Sequence, residues 1–192
     1  MALDKLFSTP VFHTDLPMPA IIMIQEQYNQ AKEMIEADYK QNSWGDNITT
    51  TFDKVNENDA IGKYGLFGLL EFTRPVVKYF TELLYRDVDL YLYDSWINAQ
   101  GKHQHQRAHT HPGCLISAVY YLQTNGKDGD ISFHPPLSSM QINEPASDEW
   151  NYSMITYPPA VGRLFVFPSW VSHSVGDNMT DDVRVSVAMN FK

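Results

Sequence analysis

His109-Thr-His-Pro-Gly-Cys-Leu-Ile-Ser-Ala-Val-Tyr-Tyr-Leu122 joins two unlike pieces: a pair of histidines one residue apart and, beyond a Pro-Gly turn, an apolar run. In extended backbone the side chains of residues i and i+2 leave the same face, so His109 and His111 can aim at one point. That is the geometry of two metal ligands. The run after the turn, rich in β-branched and aromatic residues, reads as a buried strand.

Outward from this stretch the texture is that of short strands. Asp89–Asn98, Cys114–Gln123, Asp130–His134, Tyr152–Tyr157, Arg163–Phe167, His173–Val175 and Val183–Phe191 are separated by turn residues, with no helix between them. Such a series predicts an antiparallel sandwich or barrel of jelly-roll type. Upstream, Leu6–Phe12 predicts a short strand closed off by Pro17 and Pro19. Ala20 to Tyr39 then repeats Ile21, Ile24, Tyr28, Ala31 and Ile35 at helical steps. Gln41–Asn58 reads mostly as loop, with an edge strand at Ile48–Phe52. A second helix follows Pro75, which sits in its first turn, with Val76, Val77, Phe80, Leu83 and Leu84 on one side. The expected architecture is mainly β with N-terminal helices. A single domain is read over 1–192, with a helical part over about 1–87 packed on one sheet of a jelly-roll core over about 88–192. Pro135–Asn151 is long for a connection in a compact domain and reads as a lid.

The last strand divides cleanly. Val183, Val185, Val187, Met189 and Phe191 leave one face, which the helices must cover; Arg184, Ser186, Ala188 and Asn190 leave the other. An arginine on an inward face requires an anionic partner, because an unpaired charge in a dry interior costs several kcal/mol. A dicarboxylate would supply one, bidentately.

Composition narrows the function classes. A net charge of −9 with no Lys/Arg cluster argues against nucleic acid as a partner. No window approaches the ~18 apolar residues of a membrane span, and the first residues lack a signal-peptide core. The one cysteine, Cys114, has no internal partner and reads as a buried thiol. A soluble, cytoplasmic protein is expected.

Four histidines lie between His103 and His111, and in one continuous strand the outer two would stand about 26 Å apart, too far to share an ion. His109 and His111, which abut the buried strand, are the better candidates for a ligand pair, against the reading of the whole run as a solvated polar segment; His103 and His105, among Gln and Lys, read as solvated. His173 alone reads as a core histidine and gains a ligand role through the upstream pair.

With Gly162-Arg-Leu-Phe-Val-Phe-Pro-Ser-Trp-Val-Ser-His173 and Arg184-Val-Ser186 added, the chain from Asp89 onward resembles the Fe(II)/2-oxoglutarate-dependent oxygenases, most closely their prolyl-hydroxylase-like branch. That resemblance implies a double-stranded β-helix and iron held by His109, His173 and the residue at 111. It also implies 2-oxoglutarate bound by Arg184 with Tyr121, and Ser117 and Ser186 near the cosubstrate. Asn98 is a further candidate polar group of the pocket. The implied reaction consumes dioxygen and 2-oxoglutarate, releases succinate and CO2, and hydroxylates a peptide or small molecule. One departure falls at the metal, where His111 stands in place of the family's carboxylate and removes a negative charge. Zn(II) or Ni(II) suits three imidazoles as well. Two other readings stay open: a 2-oxoglutarate-independent three-His dioxygenase, and a jelly-roll binding or structural module. Trp150, Tyr152 and Trp170 fit either a substrate mouth or sheet packing.

Overall fold

Among residues 9–41, 48–53, 58–85, 88–136 and 154–192, which the computed structural model describes, the chain opens with β1 (Phe12–Asp15), α1 (Met18–Asp38), β2 (Lys40–Gln41), β3 (Thr49–Thr50), α2 (Ala60–Tyr64) and α3 (Phe67–Tyr85). It continues through β4 (Leu92–Gln100), β5 (Gln106–His109), β6 (Ile116–Gln123), β7 (Ile131–Phe133), β8 (Ile155–Tyr157), β9 (Arg163–Pro168), β10 (His173–Val175) and β11 (Arg184–Phe191). Two antiparallel sheets result. The larger has the order β1-β9-β6-β11-β4-β3-β2, the smaller β5-β10-β7-β8. This is the expected jelly roll, as a sandwich of two sheets and not a closed barrel among the described residues.

The outer face of the large sheet holds the main core. Val185, Val187, Met189 and Phe191 of β11 are buried against Ile24, Ile35, Leu69 and Phe80 of the helices. Each such side chain contributes about 1.5–3 kcal/mol by leaving water. In α1 the buried residues are Ala20, Ile24, Tyr28, Ala31 and Ile35, one stripe at helical spacing. Val183, expected on the same face, precedes β11 and is exposed.

Several boundaries differ from expectation. The second helix starts well before Pro75, at Phe67, and holds that proline in its interior. Burial of Leu69, Thr73, Val77 and Phe80 along one side outweighs the backbone hydrogen bond that proline cannot donate. A short helix, α2, precedes it, capped by Asp59, whose carboxylate accepts from Gly62 N at 2.8 Å, and ended by Gly65 at φ 70°. Thr49–Thr50 pairs on both sides, so the edge is β2 rather than the segment at 48–52. β1 lies at Phe12–Asp15, and most of the stretch before it falls outside the described residues. So do Trp150, Tyr152 and most of Pro135–Asn151. No described helix is long and apolar enough to cross a membrane.

Candidate metal and cosubstrate site

Between the sheets, the inner face of β11 sets out the polar residues in rows fixed by strand register. Asn190 stands opposite Asp94 of β4 and Ser117 of β6; Ala188 opposite Trp96 and Val119; Ser186 opposite Asn98 and Tyr121; Arg184 opposite Gln100. The small sheet faces these rows with the histidines. His109 ends β5 and His173 begins β10, partners in register. His111 lies past the end of β5 and is held by its own N–H, which donates to Ser169 O at 2.9 Å.

The ligand atoms of His109, His111 and His173 all lie within 4.8 Å of one another. Their rings form a triangle, with centroids 4.3 Å apart for His109–His173, 5.1 Å for His111–His173 and 5.2 Å for His109–His111. Each Nδ1 faces an acceptor: Arg107 O at 2.8 Å for His109, Val171 O at 3.1 Å for His173, and Asn190 Oδ1 at 2.6 Å for His111. That pattern places the proton on Nδ1 and turns Nε2 to the metal side. His111 Nε2 is buried without a hydrogen-bond partner. Burial, and then the neighbouring imidazoles, depress the pKa of His173 well below its ordinary value; burial likewise takes His111 down to about 4, although Asn190 opposes the shift. Both rings are therefore neutral at physiological pH, the form that ligates. The donor set and the orphaned nitrogen fit a divalent ion such as iron.

At the other end of the same space Arg184 is 2% exposed. It donates to Gly129 O at 2.6 Å and to Gln100 Oε1, and its guanidinium lies 5.6 Å from the Tyr121 ring centroid. Its Nε is buried with no partner. Asp181 pairs with Lys102 and Asp182 accepts from Asn125; burial lowers the pKa of Arg184, and the acids whose charge reaches it, Asp128 and Asp130, favour its protonated form. Its direct hydrogen bonds go only to neutral acceptors and Nε has none, so the guanidinium can still take an incoming carboxylate.

Tyr121, Ser186 and Asn98 line this space together with the three histidines, Trp96 and Arg184. Ser117 is placed elsewhere: its hydroxyl donates to Asn190 Oδ1 at 2.7 Å and lies 2.8 Å from Ser169 Oγ, behind His111 rather than beside Arg184. Strand period explains the shift, since Ser117 and Ser186 belong to different rows of the sheet. His103 is exposed and His105 lies 3.1 Å from Asp177, both outside the triad. Cys114 is only half-buried, and burial raises its pKa. Gln100, Asn190 and Asp94 were not singled out as site residues from the sequence. Their chemistry shows only in register across β4, β11 and β6. A larger cavity of about 820 Å³ lies between α3 and the approach to β4, but His111 Nε2 and Arg184 Nε, both buried without a partner, mark the smaller space as the candidate site.

The family model described as "Putative 2OG-Fe(II) oxygenase" matches residues 94–190 of the 192. No curated protein sequence matches the chain. Among solved structures, a prolyl hydroxylase from Trichoplax adhaerens in complex with a hypoxia inducible factor peptide fragment superposes with a TM-score of 0.69 at 12% identity, covering 97% of this chain and 84% of that one. HygX from Streptomyces hygroscopicus, with nickel, 2-oxoglutarate and hygromycin B bound, gives 0.65 at 12% identity over 95% and 82%. SnoN, an alpha-ketoglutarate-dependent epimerase of nogalamycin biosynthesis, gives 0.65 at 16% identity over 95% and 78%. At such identities these likenesses concern the fold.

Proposed function

The chain belongs to the 2OG-Fe(II) oxygenase family, and we propose that it hydroxylates a C–H bond of a peptide or small molecule. In that reaction dioxygen and 2-oxoglutarate are consumed, one oxygen atom enters the product, and succinate and CO2 leave. The observation that carries the reading is the pairing, in one buried space, of three converging imidazoles with an arginine whose Nε has no partner.

His109, His111 and His173 are the ligands in this reading, and an iron ion bound there supplies the Lewis acidity and redox chemistry for activating dioxygen. The remaining work falls to the chain's own side chains. Arg184 takes the distal carboxylate of 2-oxoglutarate, with Tyr121 packed against its guanidinium and Ser186 and Asn98 beside it. Val119, Ile131 and Val175 give the space apolar walls that exclude water. With Arg184 folded onto Gln100 and Gly129 the cavity measures about 20 Å³, room for a water-sized body and not a five-carbon dicarboxylate. In this reading the space widens as the cosubstrate enters, and its carboxylate takes the free Nε of Arg184. The unpartnered Arg184 Nε in the same space as the histidines favours this reading over a three-His dioxygenase that works without cosubstrate and over a binding module. A cytoplasmic setting is part of the same reading, supported by the single cysteine, which has no disulfide partner.

The test is succinate release by the purified protein supplied with Fe(II), 2-oxoglutarate and air, with and without candidate peptides. Succinate formation dependent on all three is expected. Its absence from protein shown to hold one iron per chain would overturn the reading.

A further inference from the structure

We infer that Asn190 is the positioning residue that fixes the tautomer and aim of His111, and that Asp94 behind it supplies, at one remove, the negative charge that a three-imidazole ligand set lacks. The inference rests on the reading of His109, His111 and His173 as metal ligands.

The three histidines are not held alike. His109 and His173 place Nδ1 against main-chain carbonyls two residues earlier, acceptors that any sequence would provide. His111 has no such carbonyl. Its Nδ1 meets a side chain, Asn190 Oδ1, at 2.6 Å in a buried setting. An imidazole can rotate or shift its proton to Nε2, and either change removes the lone pair from the metal side. A fixed acceptor at Nδ1 prevents both.

The direction of the Asn190 amide follows from its neighbours. Asp94, its partner in register on β4, lies on the opposite side of Asn190 from Ser117 of β6, and its Oδ1 is buried without a hydrogen-bond partner. Asn190 Oδ1 is committed on the β6 side, which leaves Nδ2, a donor, toward β4 and the Asp94 carboxyl. On the β6 side Oδ1 receives two donors, His111 Nδ1–H and the Ser117 hydroxyl at 2.7 Å, while Ser117 in turn lies 2.8 Å from Ser169 Oγ. Asp94, Asn190 and Ser117 thus form one row across β4, β11 and β6. The carboxylate polarises the amide, and the amide polarises the imidazole, in a medium where such chains strengthen one another. A carboxylate ligand at position 111 would need no acceptor behind it. An imidazole there does, and this row provides one with a charge at its far end.

The experiment reads the His111 tautomer by ¹⁵N NMR of the metal-free protein and the affinity for Co(II) alone, in the parent, Asn190→Ala and the reciprocal double variant Asp94→Asn with Asn190→Asp. In the parent His111 is expected as the Nδ1–H form. Asn190→Ala should give mixed tautomers and weaken Co(II) binding by roughly 10- to 100-fold, the usual effect of losing such a partner. The double variant keeps side-chain volume and moves the carboxylate next to His111, so it should restore both the tautomer and most of the affinity. It also serves as the test where Asn190→Ala does not fold. A parent-like tautomer and affinity in Asn190→Ala would overturn the inference, as would an Nε2–H His111 in the double variant. Failure of the parent to bind Co(II) would overturn the ligand reading instead, while the tautomers of the metal-free proteins still decide the role of Asn190.

Discussion

His109 and His173 face each other in register across β5 and β10, with ring centroids 4.3 Å apart, so two of the three proposed ligands form a β-ladder pair. Removing either imidazole leaves the backbone pairing intact and deletes one ligand. The parent is expected to hold one metal ion per chain, and His109→Ala, His111→Ala and His173→Ala are each expected to fold and to lose most of it. Metal analysis of the purified proteins checks this. Parent-like content in all three would remove the triad.

Arg184 predicts a ligand-dependent stability. Added 2-oxoglutarate should raise the melting temperature of the metal-loaded protein, through a stabilisation of about 2.7 kcal/mol when the ligand is present at 100 times its Kd. Arg184→Ala should abolish the rise, but it also strips Gly129 O and Gln100 of their donor. Arg184→Lys keeps a buried cation and should show a reduced rise. A full rise in both variants would place the cosubstrate elsewhere.

The histidines make the metal-free protein sensitive to mild acid. The folded pKa of His111, about 4, lies below the ordinary 6.5, so between these values the unfolded chain binds more protons. Stability is fully present above pH 6.5 and lost as pH falls toward 4, by about 3 kcal/mol from His111 alone. His173 acts in the same direction. Asp94, whose carboxyl burial raises, opposes part of the loss, and the depressed carboxyls of Asp15 and Asp38 give their own losses only below 3.8. Denaturant midpoints measured across this range should fall with pH. A flat profile would contradict the burial of neutral imidazoles.

Gly162 tests how α1 is seated. Its φ is +85°, and an added Cβ would come within 2.3 Å of Ile21 Cδ1. Gly162→Ala combines left-handed backbone strain with displacement of α1, and a loss on the order of 1–3 kcal/mol is expected. Thermal unfolding measures it. A neutral substitution would mean that Ile21 does not rest there.

The sequence disclosed what is periodic or paired. Alternation along Val183–Phe191 separates a core face from a polar one, and Val185, Val187, Met189 and Phe191 do pack under the helices. The histidine triad was legible because His109 and His111 are close in sequence and His173 falls in a recognisable strand context. Asp94, Gln100 and Gly129 were not legible, because their roles arise from register across strands and from a main-chain carbonyl, which no local pattern encodes. Nor is the row of Ser117 legible: its type suggests a cosubstrate neighbour, and only the register sets it beside Asn190 and Ser169. Pro75 misled in another way, since helix burial on both sides of it outweighed its local signal.

The most direct measurement is a crystal structure of the protein with Mn(II) and 2-oxoglutarate. It should place the metal against Nε2 of His109, His111 and His173, and the distal carboxylate on Arg184. A metal held by other residues, or 2-oxoglutarate bound out of reach of Arg184, would contradict the account.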